Sequence, residues 1–342
     1  MILRPKSSLP HHGTLLSTPA AMPMRTVPTW LRKAIPDAQS LAAQGLEDVA
    51  FVTGAAVGAL DAVVRRQERW SGAGRQRLAL SAAALTVRAA GRVEDESQLR
   101  DSVLLTKSGD DVGPAGRMVL AWRRLTARPA EELLTEKNLA AVLEEFGYPQ
   151  NDEAVLDLAS ELRQLSVNAG TVATLTGAFM AAERHGFGRA VGAWFADALL
   201  AQRLGWTHAV PLLGSEAALA LGSARSRRSA TASPAVGAEM EADRTKSLLA
   251  AQARAALRSI DLSAELGRRA EKLLAVAPKL RSKGADAIVD RLLNEDALVA
   301  SRGDKMDKKM SDRGLRRLFD RLVDLGAIRE LSGRPTFRIY GL

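Results

Sequence analysis

Two stretches of this 342-residue chain hold side chains whose types and spacing could do chemistry. The first is ERHGFGRAVGAW, residues 183–194. His185 stands beside a glycine-punctuated turn, Gly186 and Gly188, and Arg189 follows at the start of a helical pattern. Imidazole takes up and releases protons near neutrality. The N–H groups at a helix start attract anions. His185, Gly188 and Arg189 are therefore a candidate anion site. The simpler reading is preferred: the glycines make a helix–helix turn, and His185 is an interfacial histidine with its hydrogen bonds met. The second stretch is the C-terminal sixty residues. Lys308, Lys309, Ser311, Arg313, Arg316, Arg317, Arg334 and Arg338 are the candidate DNA-binding residues there. An arginine fork matches a guanine edge, and its charge pairs with phosphate. A serine at a helix start leaves backbone N–H groups open to a phosphate.

Other chemistry is excluded or weakly supported. The chain has no cysteine, which removes disulfides, thiolate zinc sites, iron–sulfur clusters and thiol nucleophiles. Of four histidines, His11 and His12 stand near the N-terminus, so a multi-histidine metal centre is not expected. Glu94, Asp95 and Glu96 begin a helix, where acids suit the dipole. Asp101, Asp110 and Asp111 fall short of the oxygen count a divalent cation needs. No catalytic residue, metal or cofactor is assigned. Trp70, Trp122, Trp194 and Trp206 fit core packing better than a stacking platform.

The composition is that of a globular protein, 46% hydrophobic and 25% charged, with a net charge of +9. The charge is uneven. Residues 41–221 carry 18 Lys or Arg against 22 acids, whereas residues 279–342 carry 15 against ten. Residues 1–40 and 222–278 are each net +4. A basic surplus at both ends points to an acidic partner such as nucleic acid; the alternative is two solvated basic ends. No apolar run reaches the roughly 18 residues of a membrane span, and no signal-peptide core is found in residues 1–28. A cytoplasmic protein is expected.

These residues need elements to position them. Residues 1–40, rich in proline and hydroxyl side chains, read as a disordered lead. Residues 41–221 read as an all-helical domain of about eight helices without strands. Thr135 and Asp152 are expected helix caps. Residues 222–238 read as a flexible basic linker or loop. Connecting helices over 239–278, with a break near Ile260, end at Pro278.

Residues 279–342 change character. A short amphipathic helix covers 285–293, a second short helix 296–300, and a polar basic loop 301–309. Ser311 then caps a helix whose apolar face is Leu315, Leu318, Phe319, Leu322 and Leu325. Gly326 ends it. Strands are predicted over 327–331 and 336–340 around a turn at 332–335. This order resembles a winged helix-turn-helix, which lays its third helix in the major groove and its hairpin wing on the backbone. Asp312, Asp320 and Asp324 dilute the positive face and favour the alternative, protein docking.

Two further resemblances bear on function. His185, Phe187, Gly188 and Arg189 match in kind the core motif of Fic-type nucleotidyl transferases. The family's acidic residue and its Gly-Asn pair are missing, so a metal anchor and a full phosphate cradle are missing too. The succession GAAVGALDAVV, GRQRLALSAAALTVRAAGRVEDESQLRD, GDDVGPAGRMVLAWRRL, HGFGRAVGAWFADALLAQRLGW and RRAEKLLAVAPKLRSKGA is similar to the bacterial domain of unknown function 1403 family. That likeness implies fold continuity over about 45–342 and no activity. The expectation is a mainly α protein, a multi-helix body with a C-terminal winged helix-turn-helix. Its expected role is a DNA-binding regulator or accessory factor on double-stranded DNA. The alternatives are a helical protein-interaction scaffold and, third, a degenerate Fic-like transferase. A protein partner for the body and a homodimer stay open, and no membrane is involved.

Overall fold

The computed structural model describes residues 27–107, 109–149, 151–216, 234–280, 282, 284–300 and 311–342. Its first elements are two short helices, α1 (Thr29–Ala34) and α2 (Ala38–Ala42). Pro28 occupies the N-cap of α1, and the Asp37 carboxylate caps α2 by accepting the Ser40 N–H at 2.8 Å. Leu31, Ile35 and Leu41 are buried. This corrects the expected disordered lead over its last dozen residues. Proline suits helix starts, where its missing N–H has no partner to lose, so prolines here punctuate helices.

Eight helices follow: α3 (Leu46–Val64), α4 (Ser71–Ala89), α5 (Glu96–Leu104), α6 (Gly113–Ala127), α7 (Glu136–Glu145), α8 (Asp152–Asn168), α9 (Thr171–Arg184) and α10 (Arg189–Leu204). Among the described residues they contain no strand, only an isolated bridge between Pro129 and His208. Small residues set how closely they pack. Ala79, Ala82, Ala83 and Ala84 of α4 are buried, and α4 packs on α6. A side chain at Gly192 of α10 would lie 2.8 Å from the Phe179 ring of α9. Trp122 and Trp194 fill the centre, and their indole N–H groups donate to the Thr86 hydroxyl and the Ala121 carbonyl, both at 3.0 Å. A buried indole needs such a partner. Two expected caps differ in detail. Asn151, not Asp152, caps α8 through the Ala154 N–H. The Thr135 hydroxyl donates to the Glu132 carbonyl and caps nothing.

One long helix, α11 (Pro234–Val276), then runs for 43 residues, about 65 Å at 1.5 Å per residue. The expected break near Ile260 is absent. Leu248, Leu249, Leu257 and Ile260 sit in the body core, whereas Leu266, Ala270 and Leu273 sit in a second core. The shift in apolar pattern at Ile260 is thus a change of packing partner. Of the expected linker, residues 222–233 lie outside the described residues, and α11 already includes 234–238.

The second core is C-terminal. It is built by α12 (Ala285–Asn294), β1 (Leu298–Val299), α13 (Asp312–Asp324), β2 (Arg329–Glu330) and β3 (Ile339–Gly341). The strands form an antiparallel sheet in the order β1-β3-β2, with Leu298 and Glu330 both opposite Tyr340. The expected short helix over 296–300 is therefore corrected to a strand, and the expected two-stranded hairpin to a three-stranded sheet. Burial of Ala297, Leu298 and Ala300, with the Ala300 N–H bonded to the Arg338 carbonyl, holds that segment extended. Phe319 and Tyr340 stack in the centre with ring centroids 4.6 Å apart. The whole is mainly α with one small sheet.

Candidate nucleic-acid interface

The sharpest division between apolar and charged faces lies on α13. Ser311 caps it, its hydroxyl accepting the Gly314 N–H at 3.2 Å. Leu315, Leu318, Phe319 and Leu322 are buried. The opposite stripe is Arg313, Arg316, Arg317, Asp320, Arg321 and Asp324, at i, i+3, i+4, i+7, i+8 and i+11, and all six are exposed. Arg313, Arg316, Arg317 and Arg321 have no ion pair or side-chain hydrogen bond among the described residues. Asp320 is partly neutralised from outside the helix by Arg338 at 3.5 Å. What remains is a helix face with four open guanidinium forks. Such a face can offer bidentate hydrogen bonds to base edges and charge to phosphates.

The hairpin differs from its expected role. Arg334 pairs with Asp101 of α5, so it ties the turn to the body. Arg338 lies near Asp320 and Glu330, and its guanidinium is held above its ordinary value by the Tyr340 hydroxyl and these acids. Phe337 is 62% exposed and its backbone has φ +55°. Lys308 and Lys309 lie outside the described residues.

A charged junction that the sequence did not reveal fixes this module on the body. Asp296, buried just before β1, accepts from Arg100 at 2.6 Å and from Arg77 at 3.2 Å. Burial pushes its carboxyl up, but the two guanidiniums outweigh burial and hold it below the usual carboxylate range. Arg77 and Arg269 also donate to the Leu342 carbonyl, at 3.2 and 3.1 Å. Nearby, the Arg123 Nε is buried without a hydrogen bond, and burial draws its guanidinium down. A side chain at Gly72 of α4 would lie 2.6 Å from Asn294 of α12, so these two helices touch through backbone.

A family model described as a protein of unknown function (DUF1403) matches residues 16–342. The chain belongs to that family. No curated protein and no solved structure matches it. The DUF1403 match spans both cores and the junction between them, and it brings no activity with it. Among the described residues, no group of three or more acids or histidines could hold a metal. No described helix is long and apolar enough to cross a membrane.

The other candidate site of this DUF1403 chain is already satisfied from within. The Gly188 N–H, at the start of α10, donates to the Tyr148 hydroxyl at 2.6 Å. The His185 Nε2 lies 3.2 Å from a Glu161 oxygen, and Arg184 pairs with the same carboxylate. The His185 and Phe187 rings stack at 6.2 Å, and Tyr148 meets Phe187 edge-on at 4.9 Å. Arg189 is not free either. A bound anion would have to displace Glu161. This geometry supports a structural turn between α9 and α10. Glu161, 24 residues before His185, was invisible to local sequence reading.

Proposed function

We propose that the protein binds duplex DNA through its C-terminal module and acts as a cytoplasmic regulator or accessory factor. The observation that carries this reading is the α13 stripe, where four exposed arginines have no acidic partner among the described residues while the opposite face anchors the helix in a core. The sheet order β1-β3-β2 beside that helix supports a winged-helix reading. In it α13 enters the major groove, and Arg313, Arg316 and Arg317 make the first contacts. Arg334 and Arg338 play a lesser part, because DNA must compete with their present acids.

The test is titration of a short random-sequence duplex with the full-length chain at several salt concentrations. Four arginine contacts predict a log–log salt slope of about −3 to −4. Replacing Arg313, Arg316 and Arg317 together by alanine should remove most of that slope. Absence of salt-dependent binding near 50 mM salt, or wild-type binding by the triple variant, overturns the reading.

A second reading, docking of a protein, is favoured by Asp312 and Asp324 on the same helix. A protein partner for the body has support of its own. Trp30 and Phe51 stack at 6.2 Å on the surface while 49% and 70% exposed.

A further inference from the structure

Where the body meets the C-terminal module lies a cleft of about 280 Å³, walled by the turn between α3 and α4, by α4, by residues 207–208 and by α12. Its size falls just under the usual range of ligand pockets, which suits only a small molecule. Its charges fall into two groups. Arg69 and Asp290 pair across the rim at 2.8 Å, joining body and module. Arg75 and Glu68 face the same space without a partner among the described residues, and they do not pair with each other. The Arg75 Nε is buried and makes no hydrogen bond.

The remaining lining is polar and held in place. The Gln67 amide donates to the Thr207 hydroxyl at 2.9 Å, and its backbone has φ +47°, a left-handed conformation that disfavours side chains. His208 has no side-chain hydrogen bond among the described residues. Burial and the neighbouring Arg75 draw its imidazole down, so the ring is neutral near pH 7 and can both donate and accept.

We propose that this cleft binds a small zwitterion, with its oxyanion on Arg75 and its ammonium on Glu68. A free amino acid is the simplest molecule of that class. An anion alone would face the Glu68 carboxylate, and a cation alone would leave Arg75 unsatisfied. A molecule carrying both charges answers both side chains and leaves the cleft's balance of Arg69 and Arg75 against Glu68 and Asp290 unchanged. Because α12 forms one wall, such a ligand touches body and module together. The proposal does not depend on DNA binding.

The experiment is calorimetric titration of the full chain with each common amino acid, alongside acetate as a lone anion and ethylamine as a lone cation. At least one amino acid should bind with Kd below about 1 mM and at least about tenfold tighter than acetate or ethylamine. Arg75→Gln should abolish that binding. Glu68→Gln should weaken it about tenfold and bring amino acid and acetate to similar affinity. Circular dichroism confirms that both variants fold. If no amino acid outbinds acetate, or if binding survives both substitutions, the proposal is wrong.

Discussion

At the junction, Arg77 and Arg100 close on the buried carboxylate of Asp296; on α13, Arg313, Arg316, Arg317 and Arg321 face water with no ion pair among the described residues. The residue type is the same and the physics is opposite. A charge taken out of water must be matched, because the desolvation cost of an unmatched ion is several kcal/mol. An exposed guanidinium carries no such debt and stays open to whatever approaches. Paired arginines therefore mark where the molecule holds itself together. The open ones on α13 mark where it can hold something else.

Breaking the junction should have the largest effect. Asp296→Ala leaves Arg77 and Arg100 facing each other in a half-buried site, with an expected loss of about 3–5 kcal/mol in urea unfolding. A loss below 1 kcal/mol would mean that water already screens the pair and that the contrast is one of degree.

The open stripe should respond in affinity and not in stability. Arg317→Ala is expected to cost about 1–3 kcal/mol of binding at a selected duplex, with the unfolding midpoint unchanged. A shifted midpoint with unchanged affinity would place Arg317 among the structural arginines.

Asp197 sharpens the contrast, because it is a buried carboxyl without any arginine. It accepts the Leu212 N–H at 2.9 Å and the Leu213 N–H at 3.1 Å, and burial pushes it up to about 8 from an ordinary 3.8. A raised carboxyl holds its proton in the fold and releases it on unfolding. Its contribution is therefore full below pH 3.8 and is lost as pH rises toward about 8. Stability should decline by on the order of 1 kcal/mol per pH unit within that window. Urea titrations from pH 5 to 8 should show a flatter profile for Asp197→Asn, and identical profiles would refute the assignment. Asp296 has the opposite sign: its contribution is present above the ordinary carboxylate range and is lost only in acid.

Arg334→Ala should do least. Its pair with Asp101 leaves the arginine side chain 46% exposed, so about 0–1 kcal/mol of stability is at stake. DNA affinity should fall by less than for Arg317→Ala. A larger fall would show that DNA displaces Asp101 and that the hairpin belongs with the open stripe.

What could be read from the sequence follows from how far its signals reach. Periodicity exposes α3 and α13, because each presents one apolar face to one core. It misplaces a break at Ile260, because α11 turns the same face to two cores in succession. β1 has only two residues, too few to show alternation. Asp296 and its partners are separated by 196 and 219 residues, so nothing local sets this aspartate apart from a solvated one. The same holds for Arg334, whose acid lies 233 residues away. The spacing of the α13 arginines was legible because it is a local fact; that they carry no ion pair among the described residues was not.

The continuity of α11 has a mechanical consequence. A helix resists melting in mid-length, since its flanks would have to be nucleated anew. The C-terminal module is thus mounted on a stiff shaft, with no joint between the cores. A force applied at the module reaches the body as torque along that shaft, spread over Leu248, Leu257 and Ile260 instead of being absorbed at a bend.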